Sequence, residues 1–170
     1  MTHSLNEVEK EFLKESNAIE GVYDDDSLQQ AVYAWEYLKK QKKLTPSVIL
    51  KVHKKLMINQ PLLPSQIGYF RTEQVWVGGQ EGIHHSYIPM GIRHWCAGGT
   101  DSRFLTDRMI KADHIAFERI HPFIDGNGRV GRMLMNWQRL NAGLPILVIK
   151  EAEKQVYYLW FSLGGGDEGK

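Results

Sequence analysis

The segment 121–132, which reads HPFIDGNGRVGR, concentrates residue types that together could act on a phosphate group. Gly126, Gly128 and Gly131 free the backbone to turn its N–H groups toward one point, and a concave row of N–H groups binds anions. The segment also precedes a predicted helix, whose N-terminus favours negative charge because the peptide dipoles are aligned. The sequence therefore predicts an anion-binding loop.

Ionisable side chains accompany this loop. His121 carries an imidazole, the side chain best matched to taking a proton near neutral pH. Asp125 offers a hard oxygen ligand of the kind that Mg²⁺ or Mn²⁺ takes together with substrate phosphate oxygens. A base and a metal ligand beside an anion-binding loop predict chemistry at a phosphate.

Two arginines follow the glycines. Arg129 and Arg132 are three residues apart, so they are expected on one face of the next helix, where each could hold phosphate oxygens. Positive charge in the first turn of a helix opposes the dipole by roughly 0.3–1 kcal/mol. Helix stability therefore does not explain the arginines, whereas an anionic partner does.

Several residues have a structural interpretation beside the functional one. A glycine-rich segment alone can be an ordinary turn, and Asn127 could either touch a ligand or fix the loop through side-chain hydrogen bonds. The neighbouring pair His84 and His85 suggests a metal, but adjacent histidines in a polar loop are usually exposed to solvent. Phe123, Val130 and Met133 are assigned to the core.

The elements around the loop are predicted to be mainly helical. Apolar residues at spacings of three and four predict helices over about Ser4–Gly21, after Asp24, after Thr45 to about Asn59, over Asp101–Ile120, over Gly128–Asn141 and over Lys150–Phe161. Ser4 and Glu7 have the spacing of a capping box for the first of these helices.

One segment gives a β signal. Residues 71–79 combine β-branched and aromatic residues with a pair of glycines, which predicts a short hairpin. Residues 91–103 show no clear amphipathic pattern, so we expect at most a shortened or irregular helix there. The expected fold is a mainly α, compact helical bundle with a small β-hairpin over the loop.

Composition limits the classes of protein. A chain of 170 residues with 42% hydrophobic residues has the size of one domain, so we predict a single domain over 1–170, with a flexible end at 163–170. The net charge of +1 gives no basic stripe, which argues against a nucleic-acid partner. A lone Cys96 and the lack of a long apolar run predict a soluble, cytoplasmic protein without a membrane partner.

The loop resembles the signature of the Fic family, His-Pro-Phe-x-Asp/Glu-Gly-Asn-Gly-Arg-x-x-Arg, which residues 121–132 match in full. The resemblance extends, in patches, over about residues 16–158. It implies a Fic-type helical bundle with a hairpin flap over the active-site loop. It also implies transfer of AMP from ATP to a Ser, Thr or Tyr hydroxyl of a target protein, with release of pyrophosphate.

The resemblance implies a role for each residue of the loop. His121 would deprotonate the acceptor hydroxyl, and Asp125 would hold Mg²⁺ or Mn²⁺ against the phosphates. Arg132 would grip the γ-phosphate. The residues that would surround the other phosphates are Gly126, Asn127, Gly128 and Arg129.

Two further segments resemble parts of the family. A flap would pair with the backbone of the target, and its residues are Thr72, Glu73, Gln74, Val75, Trp76, Val77 and Gly78. Residues 87–89 resemble the extended segment after the flap. Tyr157 and Tyr158 resemble a segment that flanks the adenine, although helical packing explains them equally well.

The N-terminal segment resembles the family's inhibitory helix, predicted here over 4–21. Ser16, Glu20 and Gly21 fit its Ser/Thr-x-x-x-Glu-Gly/Asn motif. Glu20 would lie in the last turn of its helix, where the dipole favours a cation. A pair of Glu20 with Arg132 would explain both a carboxylate at the end of one helix and an arginine in the first turns of another. It would also make Arg132 unavailable to the γ-phosphate. Together with this pairing, the resemblance therefore implies an autoinhibited adenylyltransferase.

Other functions stay open on the sequence alone. The same site could remove AMP from a target, or hold a nucleotide without turnover as a regulatory module. Another phosphate-containing donor could replace ATP, since the loop distinguishes phosphates better than bases. The target protein is unidentified and could be the chain itself, and the oligomeric state is open, a homo-oligomer included.

Overall fold

Seven helices and one small hairpin make up the computed structural model, which describes residues 4–98 and 101–162. The helices are α1 Glu7–Ile19, α2 Asp25–Lys39, α3 Pro46–Met57, α4 Ile88–Cys96, α5 Asp107–Ile120, α6 Asn127–Asn141 and α7 Lys154–Ser162. The strands are β1 Trp76–Val77 and β2 Gln80–Glu81. This mainly α architecture confirms the predicted fold class. The predicted flexible end at 163–170 lies outside the described residues.

Polar side chains cap several of the helices. Asp24 accepts a hydrogen bond from the backbone N–H of Ser27 at the start of α2. Thr45 caps α3 in the same way, with Pro46 in the first turn. Thr106 caps α5. Such caps bind N–H groups that have no partner within the helix, so these residues fix where each helix begins.

The cap of α1 differs from the prediction. Asn6, and not Ser4, is the N-cap, and it forms a capping box with Glu9. Both pairs have the same spacing, so the sequence pattern alone does not separate them. The later start buries Leu5 ahead of the helix, and it lets Glu9 also accept a hydrogen bond from the indole of Trp35 on α2.

Helix α6 lies at the centre of the bundle. Every residue from Arg129 to Arg139 is buried, as is typical of a helix surrounded by others. Phe123, Val130 and Met133 belong to the core, as predicted. No helix in the described part of the chain is both long enough and apolar enough to cross a membrane.

Helix α4 contradicts the extended segment predicted for residues 87–89, and its end at Cys96 agrees with the shortened helix expected within 91–103. A short 3₁₀ turn leads into α4 at Ile88, so residues 87–89 are not extended. Ile88 and Ile92 are buried one turn apart, and Pro89 lies in the first turn, where its missing N–H costs nothing. The apolar pattern begins before residue 91, so residues 91–103 taken alone show no clear amphipathic helix. Helix α5 begins only at Asp107, after an exposed Phe104.

The hairpin is shorter than predicted and shifted along the chain. Trp76 pairs with Glu81, and Val77 pairs with Gln80. Between the strands, Gly78 and Gly79 have φ angles of 57° and 80°, which favour a tight turn between strands. The predicted segment 71–79 thus contains the first strand and the turn, while its residues 72–75 precede the strand.

Helices α5 and α6 approach closely at Gly131. A Cβ atom at this position would collide with the carboxylate of Glu118 and would lie 3.0 Å from the ring of His114 and 3.2 Å from that of Phe117. The missing side chain therefore allows α5 to pack directly on α6. Since the loop 121–126 connects these helices, this contact fixes both ends of the loop.

Replacing Gly131 by Ala should destabilise the protein by about 1–2 kcal/mol, because overpacking costs more than the gain in helix propensity returns. Gly91→Ala is the matched control, since a Cβ on that helical glycine would lie an ordinary 3.8 Å from Ile120. That variant should be neutral or up to about 1 kcal/mol more stable. Urea unfolding measures both, and equal stability of the two variants would contradict the close packing.

Candidate active site

The loop begins with a residue in an unusual conformation. His121 has φ 49° and ψ 63°, and it is the one residue other than glycine with a positive φ within 4–98 and 101–162. Pro122 follows it, and a residue before proline is disfavoured in the right-handed helical region. Helix α5 therefore ends here, and His121 takes a left-handed conformation of the kind that clusters at functional sites.

Asn127 closes the loop by its side chain. Its Oδ1 accepts a hydrogen bond from the N–H of Phe123 at 2.9 Å, and its Nδ2 donates to the carbonyl of Phe123 at 2.8 Å. Both polar atoms of the amide are thus used within the protein. Of the two roles left open for Asn127, the structure shows the loop-fixing one.

His53 on α3 supports the same loop, although it was not among the residues predicted to form the site. Its ring stacks on Phe123 with centroids 3.7 Å apart. Nδ1 accepts from the N–H of Gly68 at 2.9 Å, so Nε2 donates to the carbonyl of Asp125 at 2.9 Å. Burial lowers the pKa of His53 to about 4, which keeps the ring neutral. A polar residue among the buried positions of α3 was the available signal.

The first turn of α6 has no side-chain cap. Gly126 is the N-cap residue, with φ 86°, and a Cβ there would collide with Met57. A helix N-terminus without a side-chain cap leaves N–H groups for another partner. Asp125, just before it, is exposed, and its Oδ1 accepts from the N–H of Gly126 at 2.7 Å.

The donor set beside the loop fits a metal that is shared with a substrate. No cluster of three or more Asp, Glu, His or Cys residues in the described ranges could hold an ion by itself. An exposed single carboxylate, as at Asp125, fits Mg²⁺, which usually binds one or two carboxylates together with water and substrate phosphates. The residues present therefore suit such an ion only when a phosphate ligand accompanies it.

A cleft of about 890 Å³ opens beside the loop and collects residues from distant parts of the chain. It is lined by Glu20, Val77, Gly78, Gln80, Glu81, Gly82, Ile83, Glu118, Arg119, His121, Gly128, Arg132, Tyr157, Tyr158, Phe161 and Ser162. The cleft thus brings together four residues predicted for the site: Glu20, His121, Arg132 and Gly78. Most of the predicted flap, residues 72–76, does not line this cleft.

Arg132 forms the predicted pair with Glu20. Its Nη2 donates to Oε1 of Glu20 at 2.7 Å and to the carbonyl of Ser16 at 3.0 Å. Its Nε donates to the hydroxyl of Ser16 at 2.9 Å. The Arg132 side chain is 2% exposed, against 35% for that of Glu20. The pairing prediction is confirmed, and Ser16 joins it through both its hydroxyl and its carbonyl.

Two glycines make room for this pair. Gly21 has φ 71° and follows the end of α1, so the chain turns away directly after Glu20. A Cβ on Gly128 would collide with the carboxylate of Glu20 and would lie 2.9 Å from Nη1 of Arg132. The ion pair therefore occupies the space in which a side chain at position 128 would lie.

The tyrosines of α7 have different environments. Tyr157 is 3% exposed, and its hydroxyl accepts from Nη1 of Arg132 at 3.3 Å and bonds to Nε2 of His114 at 2.8 Å. It therefore packs into the bundle and supports Arg132. Tyr158 is 40% exposed and also lines the cleft. A role beside the adenine stays a prediction for both.

Arg129 and Arg132 contact different parts of the protein. Nη2 of Arg129 lies 3.2 Å from the sulfur of Met57 on α3, and Arg129 does not line the cleft. Residues three apart differ by about 60° around a helix axis, and on a helix buried on all sides that directs them to different neighbours. A phosphate-binding role for Arg129 stays a prediction.

The pKa of His121 is lowered from its ordinary value of 6.5, chiefly because burial disfavours the charged ring. The nearby carbonyl of Glu118 acts against this, and the positive charge of Arg71 adds to it. The imidazole is therefore neutral near pH 7 and able to accept a proton.

Glu118 is a second carboxylate near Arg132, besides Glu20, and it was not among the residues predicted to form the site. Its Oε1 is shielded from solvent and has no hydrogen-bond partner in the described part of the structure. Burial raises the pKa of Glu118 to about 7, with Arg132 opposing the shift and Glu20 adding to it. Glu118 therefore titrates near neutral pH.

Residues 43–138 match the sequence profile of the Fic/DOC family, and the chain therefore belongs to the Fic/DOC family. Relatives named Protein adenylyltransferase Fic in Drosophila virilis and Drosophila erecta are 30% and 32% identical over 130 residues, which are 71% of this chain. The chain spans about a quarter of the length of these relatives, 25% and 24%.

Solved structures show the same fold. A Fic domain containing signaling protein from Bacteroides thetaiotaomicron superposes with a TM-score of 0.75 at 21% identity, over 89% of this chain and 69% of that one. Fic-1 from C. elegans gives a TM-score of 0.74 at 19% identity, over 93% of this chain and 58% of that one. The helical bundle is thus shared although the sequences have diverged widely.

Glu118→Gln should change how stability depends on pH. The pKa of Glu118 in the folded state, about 7, exceeds its ordinary value of 4.5. The protein with glutamate at this position therefore loses unfolding free energy as pH rises through this interval, and the protein with glutamine does not. Between about pH 5 and about pH 8, the difference in unfolding free energy should move in favour of the variant by on the order of 2 kcal/mol. Urea unfolding at both pH values measures this. The surface control Glu11→Gln should show no such change, and an equal change in both variants would contradict the assignment.

Proposed function

We propose that this chain is an autoinhibited protein adenylyltransferase, which transfers AMP from ATP to a hydroxyl side chain of a protein. The observation that carries the proposal is the pairing of Glu20 with Arg132, at a cleft that His121 also lines. A buried guanidinium is here held by a carboxylate of the same chain beside a loop built for an anion. The names of the Drosophila relatives support the choice of adenylyl transfer.

His121 is the proposed general base. Its imidazole lines the cleft and is neutral near pH 7, so it takes the proton of the acceptor hydroxyl. The freed oxygen attacks the α-phosphorus of ATP and forms the new P–O bond. The bond from the α-phosphorus to the oxygen that bridges to the β-phosphate breaks, and pyrophosphate leaves. The hydroxyl thereby becomes an AMP ester.

The loop and Arg132 are the proposed phosphate site. The uncapped first turn of α6 presents N–H groups to the phosphates, and Asn127 keeps this turn in shape. Asp125 is the residue that would hold Mg²⁺ or Mn²⁺, which when bound neutralises charge on the phosphates. Arg132 binds the γ-phosphate once Glu20 has left it. Positioning and charge compensation thus supply most of the catalysis.

The hairpin is the proposed docking site for the target. Val77, Gly78 and Gln80 line the cleft beside His121, and Trp76 at the base of the hairpin is 70% exposed. A two-residue strand offers main-chain groups to an extended segment, which gives affinity without strict sequence demand. The target is therefore a flexible protein segment with a hydroxyl residue, on another protein or on a second copy of this chain.

Removal of AMP is a second candidate function, because Glu20 lines the same cleft as His121 and keeps part of its carboxylate accessible. That carboxylate could orient a water molecule toward a bound AMP ester. The wild-type chain would then release AMP from a modified target, and Glu20→Ala would not. If Glu20→Ala incorporates AMP into a target and the wild-type chain releases none from a modified target, adenylyl transfer is supported and AMP removal is rejected.

Glu20→Ala should raise the initial rate of AMP incorporation from labelled ATP by at least about tenfold. The variant removes the carboxylate that competes with ATP for Arg132, and a competing interaction of only about 1.4 kcal/mol corresponds to a tenfold change in binding. Glu11→Ala is the matched control, since it removes another carboxylate of α1 that lies near the surface, 3.7 Å from Lys150. Its rate should equal that of wild type. His121→Ala placed on Glu20→Ala should abolish labelling. Equal labelling by Glu20→Ala and wild type would refute autoinhibition.

The acid limb of kcat/KM should lie below pH 6.5, the ordinary value for histidine, because burial lowers the pKa of His121. As pH falls, protonation removes the base, and a lowered pKa delays this loss to more acidic solution. The profile is measured with the Glu20→Ala variant at saturating ATP and metal. Glu118 also titrates near neutral pH, so Glu118→Gln is added to the same variant as a control. The pH of the acid limb should stay the same, because the limb reports the protonation of His121. A limb at or above pH 6.5 would contradict the assignment of His121.

A further inference from the structure

Arg71 is a buried arginine whose side chain binds only backbone carbonyls among the hydrogen bonds of the described residues. It is 3% exposed. Its Nε donates to the carbonyl of His121 at 2.7 Å, its Nη1 to that of Glu73 at 3.0 Å, and its Nη2 to that of Ile83 at 2.8 Å. A second, longer bond from Nη2 reaches Ile120 at 3.5 Å. Three distant parts of the backbone therefore meet on one guanidinium.

Two of these carbonyls lie on opposite flanks of the hairpin. Glu73 precedes the first strand and Ile83 follows the second, and the N–H of Gly82 bonds to the carbonyl of Val75 at 2.8 Å between them. A Cβ on Gly82 would lie 3.4 Å from Nη2 of Arg71 and 3.1 Å from the carbonyl of Val75. Arg71 is thus packed into the base of the hairpin and ties its flanks together.

The third carbonyl belongs to the residue with the unusual conformation. His121 is left-handed, and residues other than glycine keep such a conformation only where their surroundings fix it. Arg71 contributes twice to that fixing, since its backbone N–H also donates to the carbonyl of Pro122 at 2.9 Å. The direction of the imidazole follows from the backbone that Arg71 holds.

We propose that Arg71 is a positioning residue that couples the hairpin to His121. A segment docked on the hairpin and the base that acts on it are held in one rigid unit by a single guanidinium, so target binding and base orientation depend on each other. This inference rests on the proposed adenylyl transfer for its effect on rate. The coupling itself is a property of the folded chain.

The charge of Arg71 offers a second, separable effect. The positive charge beside His121 contributes to the lowered pKa of the ring. Arg71→Lys keeps the charge but loses the three-way hydrogen bonding, because an ammonium on one carbon chain cannot reach the same set of carbonyls in the fork geometry. Arg71→Gln keeps an N–H donor and loses the charge. The two variants therefore separate geometry from electrostatics.

Both variants are placed on Glu20→Ala and compared with Arg103→Lys and Arg103→Gln, which change an exposed arginine away from the cleft. We expect kcat to fall by roughly 10- to 100-fold in both Arg71 variants, since small displacements of reacting groups cost this much. KM for a target peptide should rise, while KM for ATP changes less than about twofold because Arg132 is untouched. The Arg103 variants should match the parent.

Two measurements on the folded protein do not depend on activity. An NMR titration should show the pKa of His121 rising in Arg71→Gln and staying near its parent value in Arg71→Lys. Amide hydrogen exchange at Gly82 should become faster in both variants. If the parent labels no target while these two changes occur, the proposed function fails and the coupling stands.

The coupling is overturned if folded Arg71 variants keep kcat within about twofold of the parent, or if hydrogen exchange at Gly82 is unchanged. Should both Arg71 variants fail to fold, Gly82→Ala tests the same link with Arg71 present. Its Cβ would crowd the flank of the hairpin, so it should lower kcat and raise KM for the target together. Parent kinetics in Gly82→Ala would then count against the proposal.

Discussion

Arg132 is a permanent positive charge almost out of reach of water, and the surrounding structure depends on giving it partners. Ser16, Glu20 and Tyr157 do so from helices at opposite ends of the sequence. The first and last helices are therefore joined through one side chain of α6. A protein with this arrangement cannot expose Arg132 to a ligand without also loosening the way its N-terminal helix is held.

The loop before α6 is held by an independent set of contacts. Asn127 binds Phe123, Phe123 stacks on His53, and His53 binds the backbone of Asp125. None of these bonds involves α1. The turn before α6 is therefore held in shape independently of the contacts that Glu20 makes with Arg132.

The sequence was informative where a short pattern determines a local structure. The loop 121–132, the caps at Asp24 and Thr45, and the pair of Glu20 with Arg132 follow from residue types at fixed spacing. Helix α4 was predicted only as a shortened or irregular helix, because its buried residues begin at Ile88, before residue 91. His53 and Arg71 act through backbone carbonyls elsewhere in the chain. The polar residue among the buried positions of α3 marks His53 as unusual, but no sequence pattern near either residue identifies its partners.

Gly128 limits the shape of the site, because it leaves space that a side chain would otherwise fill. The ion pair of Glu20 and Arg132 fills the place that a side chain at this position would take, so any larger residue would displace the pair. A substitution at position 128 therefore disturbs both partners of the ion pair through shape alone, whereas a shorter side chain at position 20 removes one partner and leaves the loop backbone as it is.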